Sequence, residues 1–337
     1  MQSRTKVPIA RAEIEWIARK DFGSAVEVTE ITELSEGWFN AAYAITLRNP
    51  DLALVLKVAP PADLPVLTYE RHCMEIELAA IAYLQEHTDI PVPKVYASEL
   101  DLTRSPIHRK YFWMQKFGGY ALSAHFNNIP KADLDIIYTQ FANYQKTMNN
   151  LTGKWFGLFW EPNDGTNSNG FRRGSWYEAF WAMLSAILSD FRRFHVRIPS
   201  KLENSLSLLE HHRVAFMEVT VPKFVHWDLW EGNIFVHQTN EGYRIEGITD
   251  FERALWGDPV IEVQFSLSKR KAQFLELYGP EILASEPAKI RRQFYNLYLG
   301  TIMYLEAEPR AYPRLKKWAI RAFATNMIRA AHNALSR

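Results

Sequence analysis

The stretch that most constrains this chain runs from Val225 to Asp258, VHWDLWEGNIFVHQTNEGYRIEGITDFERALWGD. His226, Asp228 and Asn233 crowd its opening, and acid returns at Asp250. Gly232 supplies backbone freedom to the polar turn just before Asn233. Ile234-Phe235-Val236 reads as a short buried strand, Asn240-Glu241-Gly242 as a turn, and Tyr243 to Ile248 as the returning strand. Such a hairpin predicts that Asp250 comes back beside Asn233. Two short strands then carry three oxygen-bearing side chains to one point.

The first three residues fit the H-x-D-x-x-x-x-N pattern of phosphoryl-transfer catalytic loops. Asp250-Phe251 fits the start of the metal-binding D-F-G, with Glu252 where that motif has glycine. Phosphoryl transfer asks for one group that orients or deprotonates the acceptor hydroxyl, and for oxygen ligands to Mg²⁺ at the nucleotide phosphates. Mg²⁺ prefers oxygen and keeps several waters, so a carboxylate and a side-chain amide suffice as protein ligands. Asp228 is the expected base, and Asn233 and Asp250 the expected metal ligands. Asp, Asn and Gly are also ordinary turn residues, but the H-x-D-L-x-x-G-N run, the hairpin, I-T-D-F-E and G-D-P together are hard to obtain by accident.

The segment resembles the aminoglycoside phosphotransferase and choline kinase-like family, whose catalytic segment commonly runs H-G-D-L-x-x-G-N and later I-D-W/F-E-x-A-x-x-G-D-P. This chain departs from it at Trp227, where the family usually has glycine, at Thr249 before the metal aspartate, and at Glu262, where an aspartate often follows G-D-P. The resemblance implies a bilobal, protein-kinase-like α+β fold. An N-terminal nucleotide-binding lobe of antiparallel strands with one helix would span 1–116, and a larger, mainly helical catalytic and substrate-binding lobe 117–337. It implies an ATP- and Mg-dependent phosphotransferase acting on a hydroxyl of an aminoglycoside-, choline- or sugar-like small molecule. Two other classes are compatible with parts of the sequence: a non-catalytic nucleotide-binding regulator, and a metal-dependent hydrolase using Asp228, Asp250 and a histidine.

Upstream, Ala12 to Lys20 reads as a short helix, and Val26 to Leu34 and Ala41 to Leu47 as strands joined by the turn Ser35 to Asn40. Either this is a plain hairpin turn, or its backbone approaches phosphate oxygens; the resemblance favours the latter, with Gly37 and Asn40 at the family's spacing. Leu52 to Val58 is a nearly continuous apolar strand with one charge, Lys57. A buried lysine is costly unless paired, so Lys57 is either the phosphate lysine or an edge lysine reaching water. Tyr69 to Glu86 is helical, and the resemblance selects Glu77, with Glu75 as runner-up, as the carboxylate that meets Lys57. Tyr111 to Phe117 is an apolar strand ending at Gly118-Gly119, a lobe-connecting hinge whose backbone from Gln115 to Phe117 would bind adenine.

Composition narrows the classes further. The chain has 337 residues, 47% hydrophobic and 23% charged, enough for two substantial cores, and a formal net charge of +1 that gives no reason to expect nucleic acid or an anionic membrane surface. Cys73 is its one cysteine, which rules out an internal disulfide, and it is expected buried. No apolar run reaches the length of a membrane span, and MQSRTKVPIARAEIEW has no signal-peptide core, so a cytoplasmic protein is expected. Leu134 to Met148, Trp176 to Phe194, Lys289 to Glu306 and Arg314 to Ala334 read as long helices. The Gly- and Asn-rich segment 163–174 is either a substrate lid or an exposed insertion. Arg192-Arg193, Lys269-Arg270-Lys271 and Lys316-Lys317 read as solvated helix faces, Asp258 as structural, and Glu306 and Glu308 as exposed carboxylates.

Overall fold

The structure is a computed structural model and describes residues 4–34, 37–162 and 170–337. The chain forms two compact units, one of residues 1–67, 93–117 and 306–317 and the other of 68–92, 118–305 and 318–337.

The first unit is a five-stranded antiparallel sheet with one helix against it. Helix α1 (Arg11–Phe22) is followed by β1 (Glu27–Glu33), β2 (Ala41–Arg48), β3 (Leu52–Val58), β4 (Val95–Glu99) and β5 (Tyr111–Gln115), in spatial order β1-β2-β3-β5-β4. The strands have period 2. Leu54, Leu56 and Val58 join Ile14, Ile17 and Ala18 of α1 in one buried cluster with Tyr111 and Trp113. Lys57 is therefore on the other face, in the central strand, between Ala42 of β2 and Phe112 of β5. A near-continuous apolar run is what a central strand covered on both faces requires, which is why LALVLKV showed no alternation.

The second unit is mostly helical: α2 (Cys73–His87), α3 (Leu122–His125), α4 (Lys131–Asn150), α5 (Trp176–Arg193), α6 (Ser205–His211), α7 (Arg213–Met217), α8 (Gln264–Leu267), α9 (Lys271–Tyr278), α10 (Glu286–Glu306) and most of α11 (Arg314–Leu335). Two small sheets carry the chemistry-bearing segment. Strands β6 (Tyr120–Ala121), β9 (Ile234–Thr239) and β10 (Gly242–Ile248) run in the order β10-β9-β6, and β7 (Gly157–Leu158), β8 (Lys223–Val225) and β11 (Leu255–Gly257) in the order β7-β11-β8. The helix expected from Tyr69 starts only at Cys73, because Thr68–Glu70 forms a separate 3₁₀ turn. That turn is pinned by the buried Asp190 of α5, which accepts the Thr68 N–H at 2.7 Å and the Thr68 hydroxyl at 2.8 Å. Cys73 is buried. Among the described residues, no helix is long and apolar enough to cross a membrane.

Some surface readings change. Arg270 is not simply solvated, since its guanidinium pairs with Asp135 at 2.7 Å. Glu306 is mostly covered, its side chain 12% exposed and 3.2 Å from Arg310. The i, i+4 spacing of those two residues on one helical turn places the charges together. Residues 163–169 of the proposed lid lie outside the described residues.

Candidate active site

The antiparallel pairing of β9 and β10 sets the geometry of the catalytic segment. A two-residue loop, Asn240-Glu241, joins Thr239 to Gly242, whose φ of +100° suits glycine. The ladder closes with Ile248 opposite Ile234, and the Thr249 N–H then donates to the Asn233 carbonyl at 3.0 Å. Asp250 follows directly. On the other side of Asn233, its side-chain Nδ2 donates to the Asp228 carbonyl at 2.8 Å. Asp228, Asn233 and the residue preceding Asp250 are thus stitched together by two hydrogen bonds, one to each side of Asn233.

His226 is fully buried beneath this turn. Its Nε2 faces the Thr249 carbonyl at 3.0 Å, and its Nδ1 accepts the Asp228 N–H at 3.3 Å. A carbonyl can only accept and an N–H only donate, which assigns the proton to Nε2. With the Phe251 ring 4.4 Å away and tilted at 42°, His226 bridges the loop to the strand end and has both nitrogens committed to backbone.

Glu262 anchors the same loop from below. Its carboxylate accepts the N–H of His226 at 2.9 Å and of Trp227 at 3.0 Å. It has no exposed surface, and burial pushes its carboxyl up to about 7, against the opposing pull of those two N–H groups and of Arg292. Arg292 is itself pushed down to about 10 by burial. Its guanidinium donates to backbone carbonyls, that of Glu262 at 2.8 Å among them. The substitution of glutamate for the family's aspartate after G-D-P therefore leaves the anchoring carboxylate in place.

Trp227 occupies a left-handed backbone position, φ 65°, where the family's glycine would sit without strain. The left-handed region costs an L-residue about 1–2 kcal/mol. The indole turns inward: it is 2% exposed and stacks on Tyr298 at 5.4 Å and 13°. The larger side chain is thus taken up by the interior of the unit. Asp250 shares the left-handed conformation, φ 69°, so both acids of the motif lie beside or within unusual backbone, a pattern common at functional sites.

Carboxylates gather at Asp250. Glu77 of α2, Asp250 and Glu252 can each present one oxygen within 4.8 Å of the others. Helix α2 lies against the 3₁₀ turn Phe251–Arg253 that carries Glu252. An all-oxygen, multiply anionic set of this kind fits a hard divalent cation. Glu252 was not a candidate site residue in the sequence, although it departs from D-F-G and fills the glutamate of the family's I-D-W/F-E; its place directly after Asp250-Phe251 was the available signal. Glu262 was seen only as a departure.

The remaining sequence candidates lie in the first unit. Lys57 is 7% exposed, with its ammonium 5.9 Å from the Phe112 ring centre. Asn40, 8% exposed, immediately precedes Ala41, which pairs with Val58, so it stands at the same end of the sheet as Lys57. Among the described residues, a Cβ added at Gly37 would meet only the Asn40 carbonyl, at 3.9 Å. Gln115 pairs with Leu54 towards the other end of β3, and its N–H is taken by the Lys94 carbonyl at 2.8 Å. Phe117 is buried. In the second unit, Gly118 and Gly119 give their N–H groups to the two carboxylate oxygens of Glu246 at 2.8 and 2.7 Å. Asp258 is structural, accepting from Arg291 Nε and the Tyr295 hydroxyl, both at 2.7 Å.

The sequence matches the model of the phosphotransferase enzyme family, APH, over residues 30–292. No curated protein sequence matches significantly. Among solved structures, a protein assigned as an aminoglycoside phosphotransferase from Ralstonia eutropha JMP134 superposes with a TM-score of 0.63 at 14% identity, covering 98% of this chain and 99% of its own. One assigned as a fructosamine-3-kinase from Haemophilus somnus 129PT gives 0.62 at 15% identity, covering 94% and 96%. The streptomycin-ATP-APH(2″)-IIa ternary complex gives 0.60 at 16% identity, covering 96% and 99%. At these identities the structures speak for the fold, which is the bilobal, protein-kinase-like α+β fold. The family match spans well over half of the sequence and includes the whole catalytic segment just described, so the chain belongs to the phosphotransferase enzyme family and is a small-molecule kinase.

Proposed function

We propose that this enzyme transfers the γ-phosphoryl group of ATP, taken as its Mg²⁺ complex, to a hydroxyl of an aminoglycoside-, choline- or sugar-like small molecule, in the cytoplasm where ATP is available. The observation that carries the reading is the tie between Asp228 and Asn233 and, one residue further, between Asn233 and the strand leading into Asp250. It ties together the backbone of the three residues to which we give the base and metal-ligand roles, and so supports the reading of in-line transfer. The nucleotides named for solved relatives, ATP in one complex and GDP in others, support a purine nucleotide as donor.

Asp228 orients the acceptor hydroxyl and takes its proton as the new P–O bond forms and the bond to the β-phosphate oxygen breaks, with ADP as leaving group. His226 serves as the brace that fixes the Asp228 backbone, and Glu262 holds the loop from beneath. Asn233 and Asp250, with Glu252 as a further carboxylate, are the residues that would hold Mg²⁺. When bound, the ion supplies charge neutralisation at the phosphates. Lys57 is assigned to the α/β-phosphates, Gly37 and Asn40 to the phosphate turn, and the backbone from Gln115 to Phe117 to the base. Glu77 is assigned to the support of the phosphate site.

The test is thermal unfolding with and without Mg·ATP. Ligand at 100 times its Kd adds about 2.7 kcal/mol, a rise of a few degrees for a chain of this size. The expected result is a Mg²⁺-dependent rise that Asp250→Asn diminishes. No rise with millimolar Mg·ATP or Mg·GTP would overturn the nucleotide site.

A further inference from the structure

The strained residue of the catalytic loop touches more than the interior. Beyond its stack on Tyr298, the Trp227 ring stands edge-on to Tyr69 at 6.2 Å and 69°. Arg253 lies beside both aromatic side chains, its guanidinium carbon 5.3 Å from the Tyr69 ring centre and 6.0 Å from that of Trp227. Arg253 Nη2 donates to the Tyr69 hydroxyl at 3.3 Å. Its Nε is 4.0 Å from Asp228 Oδ2, with the arginine side chain 11% exposed and the aspartate 25%. A planar guanidinium stacks on aromatic faces and keeps its charge in the interior, which a lysine ammonium does less well. A partly buried ion pair of this kind is screened less than one on the surface.

A non-glycine residue in left-handed backbone persists where its surroundings over-determine it. Here the surroundings are Tyr298, Tyr69 and Arg253, and the chain reaches them only because the indole is long enough to leave the loop. We infer that Trp227 and Arg253 are positioning residues for phosphoryl transfer: Trp227 and Tyr69 hold the Arg253 guanidinium, and Arg253 fixes the Asp228 carboxylate that meets the acceptor hydroxyl. The inference rests on the role given to Asp228 above. Its consequence falls on the chemical step, because a misoriented base lowers turnover while the nucleotide still binds.

The experiment is a double-mutant cycle of wild type, Trp227→Gly, Arg253→Met and the double variant. Phosphoryl transfer from saturating Mg·ATP is read with the best acceptor from a panel of sugars, amino alcohols and aminoglycosides, or as phosphate release to water where none is used. Each single variant is expected to lose at least about tenfold in kcat with KM for Mg·ATP within about twofold, on the scale of a displaced catalytic group. The double variant is expected to be no slower than Arg253→Met, since Trp227 acts through Arg253. Trp227→Phe should keep most of the activity and Trp227→Leu should not, a comparison that stands in should the glycine variant fail to fold. Multiplicative losses in the double variant, equal activity of the Phe and Leu variants, or a loss confined to the KM for Mg·ATP would overturn the inference. Asp228→Asn separates the levels. If it abolishes turnover while the clamp variants keep theirs, only the clamp falls. If it retains turnover, or if the wild type has none, the reading of Asp228 falls with it.

Discussion

Replacing Glu262 by glutamine should uncouple the stability of the catalytic unit from pH in a range where carboxylates rarely titrate. The wild-type carboxyl is fully buried and raised from 4.5 to about 7 by that burial. A carboxyl raised in the folded state holds its proton more firmly there than in the unfolded chain. Its contribution to stability is therefore greatest below the unfolded value and is lost as pH rises through the folded one. Linkage puts the loss at about 2.5 kcal/mol between about pH 5 and pH 8. Glutamine has the same shape and does not titrate, but its amide offers one acceptor where the carboxylate offers two. One of the buried N–H groups of His226 and Trp227, now held at 2.9 and 3.0 Å, then loses its partner, at about 1–3 kcal/mol independent of pH. The two effects predict a gap between wild type and variant that shrinks by about 2.5 kcal/mol, at the wild type's expense, as pH rises from about 5 to about 8. The assay is the thermal midpoint of both proteins across that range, where every other titration cancels in the difference. A gap that stays constant with pH would refute the reasoning, because it would mean that the two N–H groups and Arg292 keep the carboxylate ionised throughout.

Three further outcomes are expected. Asp228→Asn should lower phosphoryl transfer by about 10²–10⁴ and leave the Mg·ATP-induced rise in melting temperature in place; turnover within a few-fold of wild type would remove Asp228 from the role of base. Glu252→Gln should raise the Mg²⁺ concentration needed for half-maximal activity, since it removes one of three carboxylates whose oxygens come within 4.8 Å; an unchanged Mg²⁺ dependence would show that Glu252 takes no part in holding the ion. Gly119→Ala should destabilise the unit by more than about 2 kcal/mol, on the scale of overpacking against groups that cannot yield, because its Cβ would lie 2.1 Å from the Val236 carbonyl oxygen and 2.8 Å from a Glu246 oxygen; a melting temperature equal to wild type would show that β9 shifts at little cost.

Much of the fold was legible because local signals agreed with the tertiary outcome. The apolar run LALVLKV forms β3 over the same residues, 52–58, and the long amphipathic stretches form α4, α5, α10 and α11 within a few residues of the expected ends. The Asn-Glu-Gly turn could be read from its residue types, since only a reversal of that kind uses them between two apolar strands. Helix α2 began later than its apolar stripe suggested, because Asp190, over a hundred residues away, claims the Thr68 N–H and hydroxyl. No local signal announces a partner so far along the chain.

The sequence by itself determined which chemical groups this protein carries and the order in which they come: a carboxylate, an amide and a second carboxylate at spacings that a hairpin folds together. That much follows from covalent connectivity and the two-residue period of a strand. What each group touches was decided only by tertiary structure. Neither Glu252 nor Glu262 had a role assigned from the sequence, yet one joins Glu77 and Asp250 in a cluster and the other holds the backbone of the catalytic loop. Trp227 stood out only as a departure from the family's usual glycine, and it packs inward against Tyr298 and Tyr69. Burial, the direction of a side chain and the charge of its neighbours are properties of packing between segments far apart in sequence, and residue type alone does not fix them.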